Sequence, residues 1–163
     1  ATDMGPMINE GEARRVERWV AEAVEKGASV LAGGGREKAL MDPTVLENVP
    51  VNATIHHEEV FGPAVNLYPV DDLDEAIAQA NSVDYGLHAA AFSRDVETCH
   101  RLIEGLDAGS VLINDSTDYR LDSMPFGGIK KSGLGREGIR FSLGEMTEPK
   151  VVCWHLPGLQ PEF

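Results

Sequence analysis

An α/β fold with a largely parallel sheet and flanking helices is predicted for the 163-residue chain. Two features predict it. Segments with apolar residues at helical spacing alternate with short apolar runs typical of strands, and aspartates or glycines stand where helices should begin and end. Strands that alternate with helices form βαβ units, whose strands pair in parallel.

The first half of the chain opens with a helix predicted over 10–26. Its apolar residues recur at helical spacing, and Gly27 stands at the C-terminal cap. A strand is predicted at 28–31, ended by three glycines. Further extended segments are predicted at 44–46 and 64–70.

The strand-helix alternation continues in the second half. Asp71 and Asp72 offer N-caps to a helix with Leu73, Ala76, Ile77 and Ala80 on its apolar face. Ser93 or Asp95 offers a cap to a second helix, with Val96, Cys99, Leu102, Ile103 and Leu106 on one face. A buried strand is predicted at 89–92, a strand at 110–113, a last helix at 135–146 and a last strand at Val151–Trp154.

The charge balance argues against two classes of partner. The chain has 27 acidic and 14 basic residues and a net charge of −13, which repels nucleic acid and anionic membrane. No apolar run approaches a membrane span, and the N-terminus has no secretory signal pattern. Two cysteines are too few for a disulfide scaffold, so we expect reduced thiols in a cytoplasmic protein.

No residues form a complete catalytic or metal-binding set. The run His56-His57-Glu58-Glu59 lacks the H-E-x-x-H spacing, which favours a polar loop over a metal site. A metal hydrolase that uses His56 and His57 is kept as a third interpretation. We predict no catalytic residue and no metal ligand in this chain.

Other candidate groups also have simpler interpretations. The glycine-rich stretch at 127–135 lacks the Gly-Lys-Ser order of a phosphate loop, which favours a turn-rich crossing. Cys99 and Cys153 lie in apolar settings that keep a thiol protonated and inert. His88 and His100 have no evident partners and are interpreted as surface or core residues.

Two motifs carry a family resemblance. Residues 58–63 read E-E-V-F-G-P, and residues 125–137 read P-F-G-G-I-K-K-S-G-L-G-R-E. They resemble the E-E-x-F-G-P and P-F-G-G-x-K-x-S-G-x-G-R-E signatures of the aldehyde dehydrogenase superfamily. Further landmarks of that family follow its order at 4–8, 43–46, 80–87 and 108–114. The resemblance extends from about Met4 to Trp154 and implies the C-terminal part of a catalytic domain.

The resemblance implies roles for four side chains. Glu59 matches the glutamate that accepts hydrogen bonds from the nicotinamide-ribose hydroxyls of NAD or NADP, and Phe61 matches the aromatic that packs on the nicotinamide. Phe126 matches an aromatic of the substrate funnel. The alternatives are an exposed loop carboxylate for Glu59 and plain core packing for both phenylalanines. Arg120 is the fourth.

Arg120 lies in a variable loop, 114–124, that shapes the aldehyde pocket in the family. Its guanidinium suits a carboxylate, phosphate or phosphonate on a small aldehyde. The polar loop is similar to those of members that act on lactaldehyde or phosphonoacetaldehyde. The alternative is a surface pair with Asp118 or Asp122. Asn114 is interpreted as a loop-ordering residue.

The resemblance also implies a division of the chain. Residues 1–147 match the C-terminal part of the catalytic domain, and 148–163 match an oligomerisation strand and tail, with Val151–Trp154 pairing with a partner subunit in a homo-oligomer. Arg136 and Glu137 are interpreted as a structural or subunit-contact pair.

The family places its catalytic cysteine, general-base glutamate, oxyanion asparagine and cofactor domain before Met4. We therefore predict a fragment of an NAD(P)-dependent aldehyde dehydrogenase that is inactive alone and binds the cofactor poorly. The alternative is a stand-alone, non-enzymatic assembly module derived from that family.

Overall fold

The computed structural model describes residues 4–155 and 158. The chain divides into two compact units, Ala1–Asp84 and Tyr85–Phe163, and each is described by itself. Across the described residues, no helix has both the length and the apolar character that a membrane crossing requires.

The first unit contains a three-stranded sheet in the order β1-β4-β5 and a short β2-β3 hairpin. Strands β1 and β4 are antiparallel, whereas β4 and β5 are parallel. The elements are α1 Glu10–Glu25, β1 Ser29–Ala32, β2 Arg36–Glu37, β3 Leu40–Met41, β4 Thr44–Glu47, α2 Thr54–His57, β5 Ala64–Leu67 and α3 Leu73–Ala80.

Helix α1 forms because its ends and its apolar face agree. The Asn9 side chain accepts a hydrogen bond of 2.9 Å from the Glu12 amide, which satisfies one of the free N–H groups of the first turn. Gly27 follows the helix with φ 118°, a conformation that favours glycine. The predicted helix is therefore confirmed at both ends.

The apolar face of α1 builds the core of the first unit. Its buried residues form one cluster with buried residues of β3, β4 and α2, and the partly buried Trp19 and Tyr68 pack against this cluster. The buried cluster consists of Val16, Val20, Ala23, Ala28, Met41, Leu46, Val49, Ala53 and Ile55. Because it is contiguous, it fixes the loops that leave α2 and β4.

The second unit contains two strand pairs. Strands β7 and β8 are parallel and are joined through α4, which is the predicted βαβ order. Strands β6 and β9 are antiparallel. The elements are β6 Tyr85–Gly86, β7 His88–Ala91, α4 Val96–Gly105, β8 Ser110–Ile113, β9 Ile129–Lys130 and α5 Ile139–Glu145.

Of the two cap candidates for α4, the structure selects Asp95. Its carboxylate accepts a 2.7 Å hydrogen bond from the Thr98 amide. The hydrogen bonds from Thr98 lower the pKa of Asp95, since they favour the ionised carboxylate. Ser93 lies two residues earlier, and its hydroxyl accepts a hydrogen bond from the Asp95 amide at 3.1 Å.

Several boundaries differ from the predictions. The α/β class is confirmed, but strand pairing is mixed, because β1-β4 and two short strand pairs, β2-β3 and β6-β9, are antiparallel. The last helix begins at Ile139 instead of residue 135, since Gly135 and Gly138 have positive φ values that a helix does not allow. The strand predicted at 64–70 ends at Leu67.

Two strands predicted near the second unit's apolar runs also differ. Strand β7 spans His88–Ala91 and is half-exposed, whereas a buried strand was expected. Residues Val151–Trp154 form no strand in this structure, and their side chains are exposed. A strand completed by a partner subunit stays a prediction, and residues 156, 157 and 159–163 of the proposed tail lie outside the described part.

Candidate functional site

The first candidate region is the loop at 58–63, between α2 and β5. It holds the two predicted cofactor residues, Glu59 and Phe61, and both are exposed. The Phe61 side chain is 75% exposed, and its backbone has φ 45°, a left-handed conformation uncommon for a non-glycine residue. Such a conformation persists only where neighbouring contacts determine it.

Those contacts come from the core of the first unit. Arg15 on α1 donates a 2.7 Å hydrogen bond to the Val60 carbonyl, between Glu59 and Phe61. Gly62 packs so closely on α1 that an added Cβ would lie 2.9 Å from Cγ2 of Val16. The loop is therefore pinned at its centre while the Glu59 and Phe61 side chains remain accessible.

His56 and His57 lie just before this loop, in helix α2 instead of the polar loop that was predicted. Nδ1 of His56 is 2.8 Å from the Tyr68 hydroxyl. Partial burial, and then the neighbouring charge of His57, lower the pKa of His56, while burial raises the pKa of Tyr68. Within the described residues, no three His, Cys, Asp or Glu side chains are placed to hold a metal ion.

The second candidate region lies in the second unit, around Phe126. The Phe126 backbone exchanges hydrogen bonds of 3.0 and 2.6 Å with Glu137. The guanidinium carbon of Arg120 lies 3.9 Å from the centre of the Phe126 ring, and Nη2 of Arg120 lies 2.9 Å from Oε2 of Glu137. The structure thus brings the two predicted substrate residues together.

The partner of Arg120 corrects one expectation. The sequence alternative was a pair with Asp118 or Asp122, but the carboxylate in contact is Glu137. Glu137 therefore does not act as a pair with Arg136. The Arg136 guanidinium instead donates to the carbonyls of Gly128 and Gly135, at 3.0 and 2.6 Å.

His88 belongs to the same region, and the sequence analysis missed it. Its ring meets the Phe126 ring edge-to-face, with centroids 5.0 Å apart. Its Nδ1 lies 3.0 Å from the Thr117 carbonyl. The available signal was the parallel pairing of β7 with β8, because His88 begins the strand beside the one that leads into the 114–124 loop.

Asn114 orders the start of that loop, as predicted. Its side-chain amide makes two hydrogen bonds to Ser93, accepting from the Ser93 amide at 2.9 Å and donating to its carbonyl at 2.8 Å. Its backbone has φ 60°, which asparagine tolerates better than most residues. The contacts fix the direction in which the chain leaves β8.

The glycine-rich stretch at 127–135 is a turn-rich segment around an open cavity of about 500 Å³. Its glycines allow close approach, since a Cβ at Gly127 would lie 2.6 Å from the Gly135 carbonyl oxygen. Arg136, Ser142 and Glu145 line part of the cavity. The turn-rich interpretation is confirmed.

The two cysteines have different surroundings. Cys99 is half-buried, with Sγ 3.9 Å from the Ser93 carbonyl. Cys153 is exposed, with Sγ 3.5 Å from Nε2 of His155, so the apolar strand setting expected for it is wrong. In the described residues, Cys153 is thus a surface thiol outside both candidate regions.

Comparison with known proteins identifies what these regions resemble. The model of the "Aldehyde dehydrogenase family" matches residues 1–152. A 3-sulfolactaldehyde dehydrogenase of Priestia megaterium is 44% identical over 95% of this chain and 32% of its own length. A lactaldehyde dehydrogenase of Methanococcus maripaludis is 41% identical over 94% of this chain and 33% of its own length.

Solved structures agree with the sequence relatives. Aldehyde dehydrogenase 21 of Physcomitrella patens, in complex with succinate as reaction product, has a TM-score of 0.93, is 42% identical and aligns with 98% of this chain and 33% of its own. Glyceraldehyde-3-phosphate dehydrogenase of Methanocaldococcus jannaschii, complexed with NADP, has a TM-score of 0.84 at 43% identity, with 89% and 31% covered. The chain therefore spans about a third of the length of its relatives, and it belongs to the aldehyde dehydrogenase family.

Proposed function

We propose that this chain is the C-terminal third of an NAD(P)-dependent aldehyde dehydrogenase, with a cofactor-binding surface in its first unit and a substrate-binding surface in its second. The loop at 58–63 contacts the nicotinamide ribose, and the cluster around Phe126 receives a small, anion-bearing aldehyde. The observation that carries the proposal is the Arg120 guanidinium, which stacks on Phe126 and, within the described residues, pairs with an exposed carboxylate, Glu137.

The first surface fits a nicotinamide cofactor. Glu59 offers an accessible carboxylate, which only accepts hydrogen bonds when ionised and so suits ribose hydroxyls. Phe61 offers an exposed aromatic face beside it, on a backbone pinned through Val60. When bound, NAD or NADP would supply the hydride acceptor for aldehyde oxidation. Glu59 and Phe61 would orient it.

The second surface fits an anion. The pair between Arg120 and Glu137 is solvent-accessible, with side chains 45% and 68% exposed. Exposed pairs contribute only about 0–1 kcal/mol, so a substrate anion can replace Glu137 at small cost. A guanidinium binds carboxylate, phosphonate or sulfonate oxygens through parallel N–H donors. Phe126 keeps its plane in place by stacking.

The relatives support an anionic substrate and also define the competing one. The relatives include dehydrogenases of 3-sulfolactaldehyde and of glyceraldehyde-3-phosphate, and one that was solved with succinate as its product. Lactaldehyde, named for another relative, is neutral. Selectivity between these classes therefore depends on the contacts of Arg120.

The bond-making chemistry is assigned to chain outside this segment. The family resemblance places the cysteine nucleophile, the general-base glutamate and the oxyanion asparagine before Met4. Neither Cys99 nor Cys153 lies in the described part of either candidate region. The 163-residue chain alone should then neither oxidise aldehydes nor gain thermal stability from NAD or NADP.

Two measurements test the anion-binding role of Arg120 and the assignment of the bond-making chemistry to chain outside this segment. We expect the complete enzyme with Arg120→Ala to raise KM for sulfoacetaldehyde about tenfold or more, the equivalent of about 1.4 kcal/mol, with KM for propanal nearly unchanged. Arg101→Ala, an arginine on α4, is the matched control. An unchanged KM for sulfoacetaldehyde would remove the anion-binding role, and aldehyde oxidation by the 163-residue chain would remove the assignment of chemistry elsewhere.

A second candidate function has one observation in its favour. Val151, Val152 and Trp154 expose 94%, 72% and 81% of their surfaces, and such an apolar run fits a stand-alone assembly module that pairs with another protein. An assembly module has no need of a pinned Glu59 and Phe61. A complex of the 163-residue chain that forms normally in Glu59→Gln and Arg120→Ala variants, without any dehydrogenase activity, would favour the module.

A further inference from the structure

His88 contacts both the Phe126 ring and the loop that carries Arg120. Its ring packs edge-to-face on Phe126, with centroids 5.0 Å apart, and the opposite partner of Phe126 is Arg120. Through Nδ1, His88 also reaches the Thr117 carbonyl at 3.0 Å. Thr117 lies three positions before Arg120, so His88 contacts both the ring on which the guanidinium stacks and the loop that carries Arg120.

The Thr117 contact defines the tautomer of His88. A carbonyl oxygen only accepts hydrogen bonds, so Nδ1 must carry the proton and donate it. In the neutral ring, Nε2 is then an unprotonated acceptor. The donated hydrogen bond ties the middle of the 114–124 loop to the first residue of β7.

The second ring nitrogen of His88 makes a histidine energetically unfavourable at this position. Nε2 is buried and, in the described part of the chain, has no hydrogen-bond partner. The adjoining cavity, bordered by Arg120, Tyr119 and Met124, is about 10 Å³, room for one water at most. A buried unpaired acceptor is unfavourable. A phenylalanine would pack on Phe126 without that cost but could not donate to Thr117.

The loop needs such a contact at its middle. Its start is held by Asn114 on Ser93, and its end by the backbone pairing of Phe126 with Glu137. Between these anchors the backbone hydrogen bonds are local turns, from Tyr119 to Ser116 and from Met124 to Leu121. Among the described residues, the His88–Thr117 bond connects this middle part to strand β7.

We propose that His88 is a positioning residue for substrate selection. It fixes Thr117 and Phe126, and through them it holds Arg120 where the anion of the aldehyde binds. This inference rests on the proposed function, in which Arg120 receives that anion. His88 is not expected to touch the reacting aldehyde carbon, so it should affect KM for anionic substrates and leave kcat unchanged.

The first test uses the 163-residue chain. His88→Phe keeps an aromatic ring against Phe126 and removes the N–H donor, whereas His88→Gln keeps a donor and removes the ring. We expect His88→Phe to speed amide hydrogen exchange at 116–120 about tenfold or more, the equivalent of losing one good hydrogen bond, with rates at 29–47 unchanged. Equal rates at 116–120 in His88→Phe and the parent would overturn the anchoring.

The second test uses the complete enzyme, with sulfoacetaldehyde and propanal as anionic and neutral probes. We expect His88→Phe to raise KM for sulfoacetaldehyde severalfold and to leave both kcat values and KM for propanal within about twofold, well under the tenfold that 1.4 kcal/mol represents. His88→Gln should retain much of the parent's KM. His100→Gln, an exposed histidine on α4, is the matched control.

A double-mutant cycle separates this inference from the proposed function. If His88 acts through Arg120, His88→Phe should have no further effect on selectivity once Arg120→Ala is present. An Arg120→Ala enzyme with normal selectivity would reject the proposed function. Normal selectivity in His88→Phe, or equal KM losses for both probes, would reject the role of His88 alone.

Discussion

The two units position their candidate residues by different means. In the first unit, a contiguous buried cluster lies beneath the loop that carries Glu59 and Phe61. Among the described residues of the second unit, the only buried hydrophobic side chain is Leu112. The cluster around Phe126 is instead held by ring stacking and by exposed polar contacts. A core-anchored loop suits a constant ligand such as a cofactor, and a surface-anchored loop suits a substrate that differs among relatives.

The second unit also exposes much of its apolar surface. Phe92, Val96, Ile139, Leu143 and Met146 are among its exposed side chains. Exposed apolar surface of this extent marks contact with other protein. It agrees with a chain that spans about a third of the length of its relatives, and we expect the remaining two thirds of the enzyme to cover it.

The largest contrast should come from paired core truncations. Leu46 is fully buried in the cluster of the first unit, so Leu46→Ala should lower the free energy of unfolding by about 2–5 kcal/mol. Leu112→Ala should cost less, because Leu112 lies outside that buried cluster. Native-state hydrogen exchange, read at the strand amides of 44–47 for Leu46→Ala and of 110–113 for Leu112→Ala, measures the two losses separately. Equal losses for the two variants would contradict the contrast.

The next effect concerns a close contact of the loop at 58–63. A Cβ at position 62 would lie 2.9 Å from Val16 and 3.2 Å from Met7. We therefore expect Gly62→Ala to destabilise the first unit by about 1–3 kcal/mol through overpacking. Gly5→Ala, which meets nothing within 4 Å, is the matched control. Equal unfolding midpoints for Gly62→Ala and Gly5→Ala would show that the loop is not seated on α1.

A smaller effect is expected at Arg15. Arg15→Ala removes the hydrogen bond to the Val60 carbonyl and the stacking over Trp19, where the guanidinium lies 4.4 Å from the ring centre. We expect a loss of about 1–2 kcal/mol, since a half-buried charged donor is removed. Arg14→Ala, which breaks only an exposed pair with Glu10, should cost less than about 0.5 kcal/mol. Fluorescence-detected urea curves of both variants measure the difference.

The smallest effect should appear with pH. The pKa of His56 is lowered in the folded chain, mainly by burial. The unfolded chain therefore binds more protons between the folded pKa and the ordinary value of 6.5, so stability falls as pH drops through that range. His56→Gln should flatten the dependence of the unfolding midpoint on pH below about 6.5. An unchanged pH slope in that variant would contradict the burial of His56.

What the sequence predicted well was local. Helical spacing and caps predicted α1 and α3 to within a residue or two, whereas the roles that the two signature motifs imply for Glu59, Phe61 and Phe126 stay predictions. The last helix was placed too early because glycines at 135 and 138 adopt positive φ, which spacing does not reveal. The strand predicted at 28–31 is confirmed as β1, but its antiparallel direction was not predicted, because strand direction depends on long-range pairing.

The contacts of the second region were harder to predict for a physical reason. Arg120, Phe126 and Glu137 are separated by turns in which sequence distance says little about spatial distance. His88 lies a further strand away, so only the parallel register of β7 and β8 connects it to the loop. The Arg120–Glu137 pair and the His88–Thr117 bond therefore required the structure.

The central claim is that this chain acts as part of a longer dehydrogenase, and the size of the native polypeptide tests it most directly. An immunoblot of the producing cells with an antibody against these 163 residues measures that size. We predict a single band well above 17.6 kDa, about three times larger given the third of each relative that the chain covers. A band at 17.6 kDa alone would contradict the claim and favour the assembly module.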